Sequence, residues 1–463
     1  MASLEKARTR AENERRDELD GFREGLQPYS GVDGFKQCGR LPIPFSKVLG
    51  IPLKYDGKRA RWGELQRCRK VHLCPTCGQE IRATRRAELE QGNRTWVDSA
   101  LEGAEVHTVA MATFTLRHFK DDSLADLLAI QRDAWSYSFG KYAGQHWKRI
   151  RARFGIVGDV RVWETTHGAR YGWHPHWHVQ YMLKNPLTAK QAKELETILA
   201  DRWTRAVTRA GGKQPDKKWA VKLLVAKPGE EAAFADYMTK EMTGQADKEG
   251  RKAGQRTPHQ IAQDWLNRVE NLTKAQRDAL TPRQRHDLAL WREYEAAVHG
   301  LRYMRWSRGL KELLGIDTPD NDEDLKTGEE QAEEESPTVL SVTYTAWFRA
   351  IISRRGRSLA LRKAMEAGGV GAVHALVEVW NREDWDRWWR TRPEKRRGDG
   401  PFQIVWGRDI RDVRPGQEPE YVPPVSPAEL SGGADPGKQL LDAMRQQQAI
   451  RDAANPKQLA LFC

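Results

Sequence analysis

The chain has 463 residues, 39% of them hydrophobic and 30% charged, with a formal net charge of +13 and a pI near 9.4. This length allows two to four domains with real cores, which argues against a wholly disordered chain. The basic excess favours a polyanionic partner, nucleic acid first. No run of about 18 apolar residues is present, and the charged N-terminus lacks an apolar signal core. A cytoplasmic protein with no membrane partner is therefore expected.

In chain order, residues 1–30 read as a charged, mobile helical arm. Residues 31–95 hold four of the five cysteines and close on a charged, helix-like run. Alternation and β-branched residues predict strands at 104–118, 158–166, 176–183 and 219–227. Apolar spacing of three and four predicts helices at 123–152, 188–207 (with a Thr188 cap) and 229–242. Residues 96–245 thus form an α+β domain. Residues 246–319 look helical and charged, and 320–337 look like an acidic linker. Residues 338–410 return to helical periodicity, with Arg354, Arg355, Arg357, Arg362 and Lys363 clustered. That cluster and the Trp-rich run at 380–392 suggest a second DNA-contacting region. Residues 411–463, rich in Pro, Gly and Gln, read as a disordered tail.

The chemistry concentrates in Gly172-Trp173-His174-Pro175-His176-Trp177-His178. Side chains on a strand alternate faces, so His176 and His178 point the same way and Trp177 the other. Two imidazoles on one face can grip one metal ion. His174 could share that face, although Pro175 threatens the strand between them. In the preceding strand Val160, Val162 and Glu164 share a face. A hairpin would bring Glu164 to the histidines, with His167 a weaker competitor. Two imidazoles and a carboxylate suit Mn²⁺ or Mg²⁺ with positions left open for phosphodiester oxygens. About 60 residues on, Tyr237 lies one helical turn before Lys240. A lysine there favours the phenolate, and a tyrosine can be a covalent nucleophile. In the N-terminal part, Cys74-Pro75-Thr76-Cys77 has zinc-ribbon spacing. Cys38 and Cys68 could complete a Cys₄ site, with His72 an alternative ligand. Structural Zn²⁺ is expected there.

Taken together, Thr113-Phe114-Thr115-Leu116, His176-Trp177-His178, Tyr237 with Lys240, and the cysteine segment resemble the rolling-circle replication initiators of small plasmids. These belong to the HUH endonuclease superfamily, and the cysteines resemble its Gram-positive plasmid branch. The resemblance covers about residues 35–245. It implies an antiparallel sheet flanked by helices, with a cysteine-rich zinc-binding segment before it and a helical region after it. It further implies double-strand origin binding and nicking of one strand, with Tyr237 as nucleophile, His176 and His178 as metal ligands and Glu164 as a plausible third. Such an enzyme ends on a 5′-phosphotyrosine, leaves a 3′-hydroxyl primer and handles single-stranded DNA. In that branch a glutamate one turn before the tyrosine serves the closing step. Here that position is Ala233, and Glu230, seven residues before Tyr237, is the preferred substitute, with Glu231, Asp236 and Glu241 nearby.

At the end of the chain, Gln458-Leu459-Ala460-Leu461-Phe462 resembles the peptide that binds the bacterial sliding clamp. Gln458 would make polar contacts while Leu459, Leu461 and Phe462 enter an apolar groove. A host helicase is a further candidate partner. The competing readings are a HUH transposase, some of which also carry cysteine clusters, and a non-enzymatic zinc-ribbon DNA-binding regulator whose strand histidines are core. A relaxase fits less well, because relaxases usually place the tyrosine before the histidines.

Overall fold

The computed structural model describes residues 2–44, 46, 48, 50–99, 106–227, 229–242, 254–391 and 400–413. The chain forms two compact units, one from residues 29–32 and 69–327 and the other from 1–28, 33–68 and 328–463. The strands are β1 (Ile51–Tyr55), β2 (Ala60–Trp62), β3 (Thr108–Thr115), β4 (Ile156–Gly168), β5 (Gly172–Leu183), β6 (Val221–Val225), β7 (Gln255–Arg256), β8 (Met304–Trp306), β9 (Thr338–Val342) and β10 (Ile410–Asp412). Both sheets are antiparallel throughout their described pairings.

In the 69–327 unit the strand order is β6-β3-β5-β4-β7, with β8 also on β4. The β5 strand is the middle of that path, and its alternation gives the sheet two unlike faces. One face carries Trp177 and, across the pair, Phe114. Phe114 meets Trp135, Phe139 and Trp203 at ring-centroid distances of 5.3–5.7 Å. Arg161 lies over Trp135 and Trp177 at 4.3 and 5.5 Å, a favourable cation–π geometry. The helices Leu124–Ser138 and Ala189–Arg209 supply this layer. The second of them begins with a capping box on Thr188, as its sequence suggests. A Trp→Ala change in such a layer costs about 3–5 kcal/mol.

The other face carries His176, His178 and Gln180. It is covered by helices Pro75–Asp98 and Glu231–Met242, which touch β3 and each other. Trp96 ties the first of these helices to the sheet by donating to the carbonyls of Thr108 and Leu183, at 3.0 and 3.2 Å. Strand β5 runs through Pro175, contrary to the break feared from sequence. Its pairing with β3 stops at His176, so the missing N–H falls where β5 has a neighbour on the β4 side only.

The other unit holds the sheet β10-β9-β1-β2. Its core includes Ile51, Leu53, Leu340, Trp347, Leu361 and Met365. Three features differ from the sequence reading. Residues 338–342 form a strand rather than the start of a helix. The arm is helical at Ala2–Leu26 but is not loose, because Asp17 and Asp20 accept from Arg362 at 3.2 and 2.6 Å. The acidic run contains a helix, Gly328–Glu335, whose Glu329 pairs with Arg16, Arg59 and Arg61. The last two share a cause: opposite charges distant in sequence match here. The same matching takes Arg357, held by Asp384 at 2.9 Å, and Arg362 out of any phosphate-binding surface. Arg354, Arg355 and Lys363 remain at the surface.

Two imidazoles of the 69–327 unit are kept neutral by their surroundings. Burial, then the charge of Arg256 and of His286, pushes His167 down to about 4. Burial and Arg82 push His259 down to about 4 as well. In an unfolded chain both titrate near 6.5, so below that pH the unfolded state binds protons that the folded state does not. These two groups therefore lower stability progressively as pH falls from about 6.5 toward 4. In urea titrations the midpoint is expected to be lower at pH 5.0 than at pH 7.5, and His259→Gln should shrink the difference. A wild-type midpoint unchanged between the two pH values contradicts this.

Candidate active site

The β4–β5 hairpin turns at residues 169–171, and Gly168 faces Gly172 across it. Gly172 has φ +72°, and a Cβ there would lie 2.9 Å from the Lys120 carbonyl oxygen, so only glycine fits without strain. From this turn the register counts outward and sets Glu164 directly opposite His176 and Val162 opposite His178. His176 Nε2 lies 3.2 Å and His178 Nε2 3.1 Å from the same oxygen, Glu164 Oε2. The three donor atoms lie within 4.8 Å of one another.

The other ring nitrogens are engaged. His176 Nδ1 sits 3.3 Å from the His174 carbonyl oxygen, which can only accept, so that nitrogen carries the proton. His178 Nδ1 sits 3.2 Å from the Thr113 hydroxyl, on the neighbouring strand β3. With Nδ1 engaged in both rings, both Nε2 atoms converge on Glu164, where a cation would take their lone pairs. This is how a metal-binding histidine is usually oriented. His178 is buried, while His176 and Glu164 are half-buried, so the group opens to solvent on one side. The donor set therefore fits a divalent cation that keeps positions for substrate oxygens.

The remaining histidines have other partners. His174 Nδ1 is 2.6 Å from His118 Nε2, and His118 Nδ1 is 2.8 Å from the Tyr171 carbonyl oxygen. Burial, then the neighbouring His176 and His118, pushes His174 down to about 4. His167 packs edge-on against Trp173 rather than joining Glu164. His72, considered above as a zinc ligand, is a buried core residue set edge-on to Trp163 at 5.4 Å.

Tyr237 sits on helix Glu231–Met242, which covers the histidine face of the sheet. Ala235, Met238 and Thr239 are the buried side of that helix, whereas Tyr237 is 51% exposed and touches Phe234. Lys240 lies on the same helix, but its side chain is outside the described residues, as is that of Glu241. Glu230 is exposed and precedes the helix, where its carbonyl accepts from the Phe234 N–H at 2.8 Å. It is thus at the helix start rather than on the turn below Tyr237. Glu231 is buried and accepts from the Gly229 N–H at 3.1 Å.

Each cysteine pair is organised within its own unit. In one, the Cys68 N–H points at Cys38 Sγ, 3.4 Å away. In the other, Cys74 caps helix Pro75–Asp98 and its Sγ accepts from the Cys77 N–H at 3.4 Å, with Pro75 at the first helical position. All four stand as thiols, and Cys74 and Cys77 keep the zinc-ribbon spacing read from the sequence. Gln458, Leu459, Leu461 and Phe462 lie outside the described residues.

Sequence reasoning missed two polar residues beside this site, Asn93 and Gln180, both buried. Gln180 could have been found by extending the His176–His178 alternation one step. Nothing local marks Asn93. For the metal group, titration of apo protein with Mn²⁺ is expected to show one site and a rise in melting temperature. His178→Ala or Glu164→Ala should weaken uptake at least tenfold. Unaltered affinity in both variants contradicts the assignment.

The chain is 28% identical to "Protein rep" of Streptomyces lividans over 356 aligned residues, covering 65% of this chain and 75% of the relative. A 137-residue stretch is 30% identical to the "Neomycin resistance protein" of Streptomyces cyanogenus, covering 25% of this chain and 30% of that protein. No family model matches, and no solved structure matches. Among the described residues, no helix is long and apolar enough to cross a membrane. The chain is a distant homologue of the Streptomyces lividans Protein rep.

Proposed function

We propose that the chain is a plasmid rolling-circle replication initiator with a HUH-type nickase domain at residues 96–245, which binds a double-strand origin and nicks one strand. One observation carries this reading: two imidazole Nε2 atoms and one carboxylate converge on the sheet face that the Tyr237 helix covers. The homology to Protein rep supports an initiator over a transposase or a non-enzymatic regulator.

In the proposed reaction Tyr237 Oη attacks the scissile phosphorus in line as the P–O3′ bond breaks. The phenolic proton is lost, the 3′ oxygen gains one, and the products are a 5′-phosphotyrosine and a 3′-hydroxyl primer. A Mn²⁺ or Mg²⁺ ion held by Glu164, His176 and His178 would neutralise charge on the scissile phosphate. Lys240, one helical turn from Tyr237, would favour the phenolate and meet phosphate. Glu230, near the start of the same helix, is the candidate for activating water when a replication round closes. Thr113 and the His174 carbonyl hold the ligating rings in place through their Nδ1 atoms, so the site is set before substrate arrives. Zn²⁺ on the cysteine segment, where Cys74 and Cys77 have zinc-ribbon spacing, would be structural in this account. The clamp-like peptide at 458–462 would connect the initiator to the replication machinery, and a host helicase would open the duplex behind it.

Incubation of the protein and Mn²⁺ with supercoiled DNA carrying the gene and its flanking sequence is expected to give open circles. Tyr237→Phe should abolish nicking, a loss of at least 10³-fold, while leaving DNA binding intact. Nicking by Tyr237→Phe at the wild-type rate would overturn the tyrosine-nuclease reading.

A further inference from the structure

Helix Glu231–Met242 buries Ala235, Met238 and Thr239 against its own unit. It follows Gly229, at φ +82°, and three of its small or polar residues face inward. Three buried polar side chains meet beneath it. Gln180, on β5 two residues beyond His178, donates from Nε2 to Asn93 Oδ1 at 2.6 Å. Asn93, on helix Pro75–Asp98, donates from Nδ2 to Thr239 Oγ1 at 2.9 Å and to the Ala235 carbonyl oxygen at 3.2 Å. The Thr239 hydroxyl in turn donates to the Ala235 carbonyl at 3.0 Å. Gln180 and Thr239 are fully buried, and Asn93 is 2% exposed.

We infer that Asn93, Gln180 and Thr239 form a register clamp, which sets Tyr237 at a fixed position along the strand that bears the metal-binding histidines. The inference rests on Tyr237 being the nucleophile. The geometry supports it at both ends. Gln180 shares the face and strand of His176 and His178, so it reports their position. Ala235 and Thr239 are one helical turn apart and bracket Tyr237, so holding both fixes its height and its rotation about the helix axis. Apolar contacts alone would let the helix slide, because they are non-directional. A buried amide cannot follow such a slide without losing its partners. None of the three needs to touch DNA. They are positioning residues, and their effect on the reaction is through in-line geometry.

The test uses full-length protein and two readouts. Thr239→Val keeps shape but removes the hydroxyl, and Thr239→Ser restores it. In hydrogen exchange, amides of the Tyr237 helix are expected to exchange at least tenfold faster in Thr239→Val than in wild type or Thr239→Ser. In single-turnover nicking of the same supercoiled DNA with Mn²⁺, Thr239→Val should lower the maximal rate at least tenfold. The protein and Mn²⁺ concentrations at half-maximal rate should be unchanged, and Thr239→Ser should nick as wild type does. Unaltered exchange in Thr239→Val overturns the clamp whatever the activity. So does wild-type nicking by Thr239→Val. Absence of nicking by the wild-type protein instead refutes the role of Tyr237, while the exchange readout still decides whether the helix is clamped.

Discussion

The candidate site depends on the pairing register of β4 with β5. Because side chains alternate, a slip of one residue would send His176 and His178 into the aromatic layer and bring Trp177 to the metal face. Several features hold the register. The tight turn needs glycine at position 172. Near the far end a shift between Ile156 and Gly158 absorbs an irregularity before it reaches the site. Gly158 itself lies against Leu310, where a Cβ would come within 2.8 Å of a methyl group. The aromatic face supplies the energetic penalty for a slip: displacing Trp177 from its packed layer would cost several kcal/mol, as core truncations do.

Given that register, division of labour between the faces follows from chemistry. The aromatic face buries large area and makes the sheet rigid. The opposite face is polar, and a polar buried face is costly unless its groups are paired. Here they are: Thr113 with His178, Glu164 with both imidazoles, and Gln180 with Asn93. The polar row along β5 therefore has a metal-capable end and an amide end, and the amide end is bonded to the helix that carries Tyr237. Helix Pro75–Asp98 begins at the Cys74 cap and reaches Asn93 about 24 Å beyond Cys77 at the ordinary helical rise.

Much of this was legible in the sequence because it is local or periodic. The His-Trp-His alternation, the Val160-Val162-Glu164 face, the Thr188 cap and the helix around Tyr237 all follow from spacing of two or about three and a half. What was not legible is set by partners far away in the chain. Asn93 sits in a run that reads only as a charged helix, and its role depends on Gln180 and Thr239, 87 and 146 residues away. The helical arm, the acidic run and the Arg357–Arg362 cluster each looked solvent-facing by composition. Their charges are matched within one unit instead, and matched charge leaves no periodic trace. Strand β9 escaped notice because five residues beside an acidic run give too short a pattern to set against the helical periodicity that follows.

The central claim is that Tyr237 is the residue that joins DNA, guided by the metal-capable group beneath its helix. The most direct measurement is peptide mapping by mass spectrometry of the covalent protein–DNA adduct, formed with Mn²⁺ and trimmed by nuclease. The account expects the nucleotide phosphate on the peptide containing Tyr237, and no adduct in His178→Ala. An adduct on another residue, or nicked DNA with no adduct at all, would contradict it.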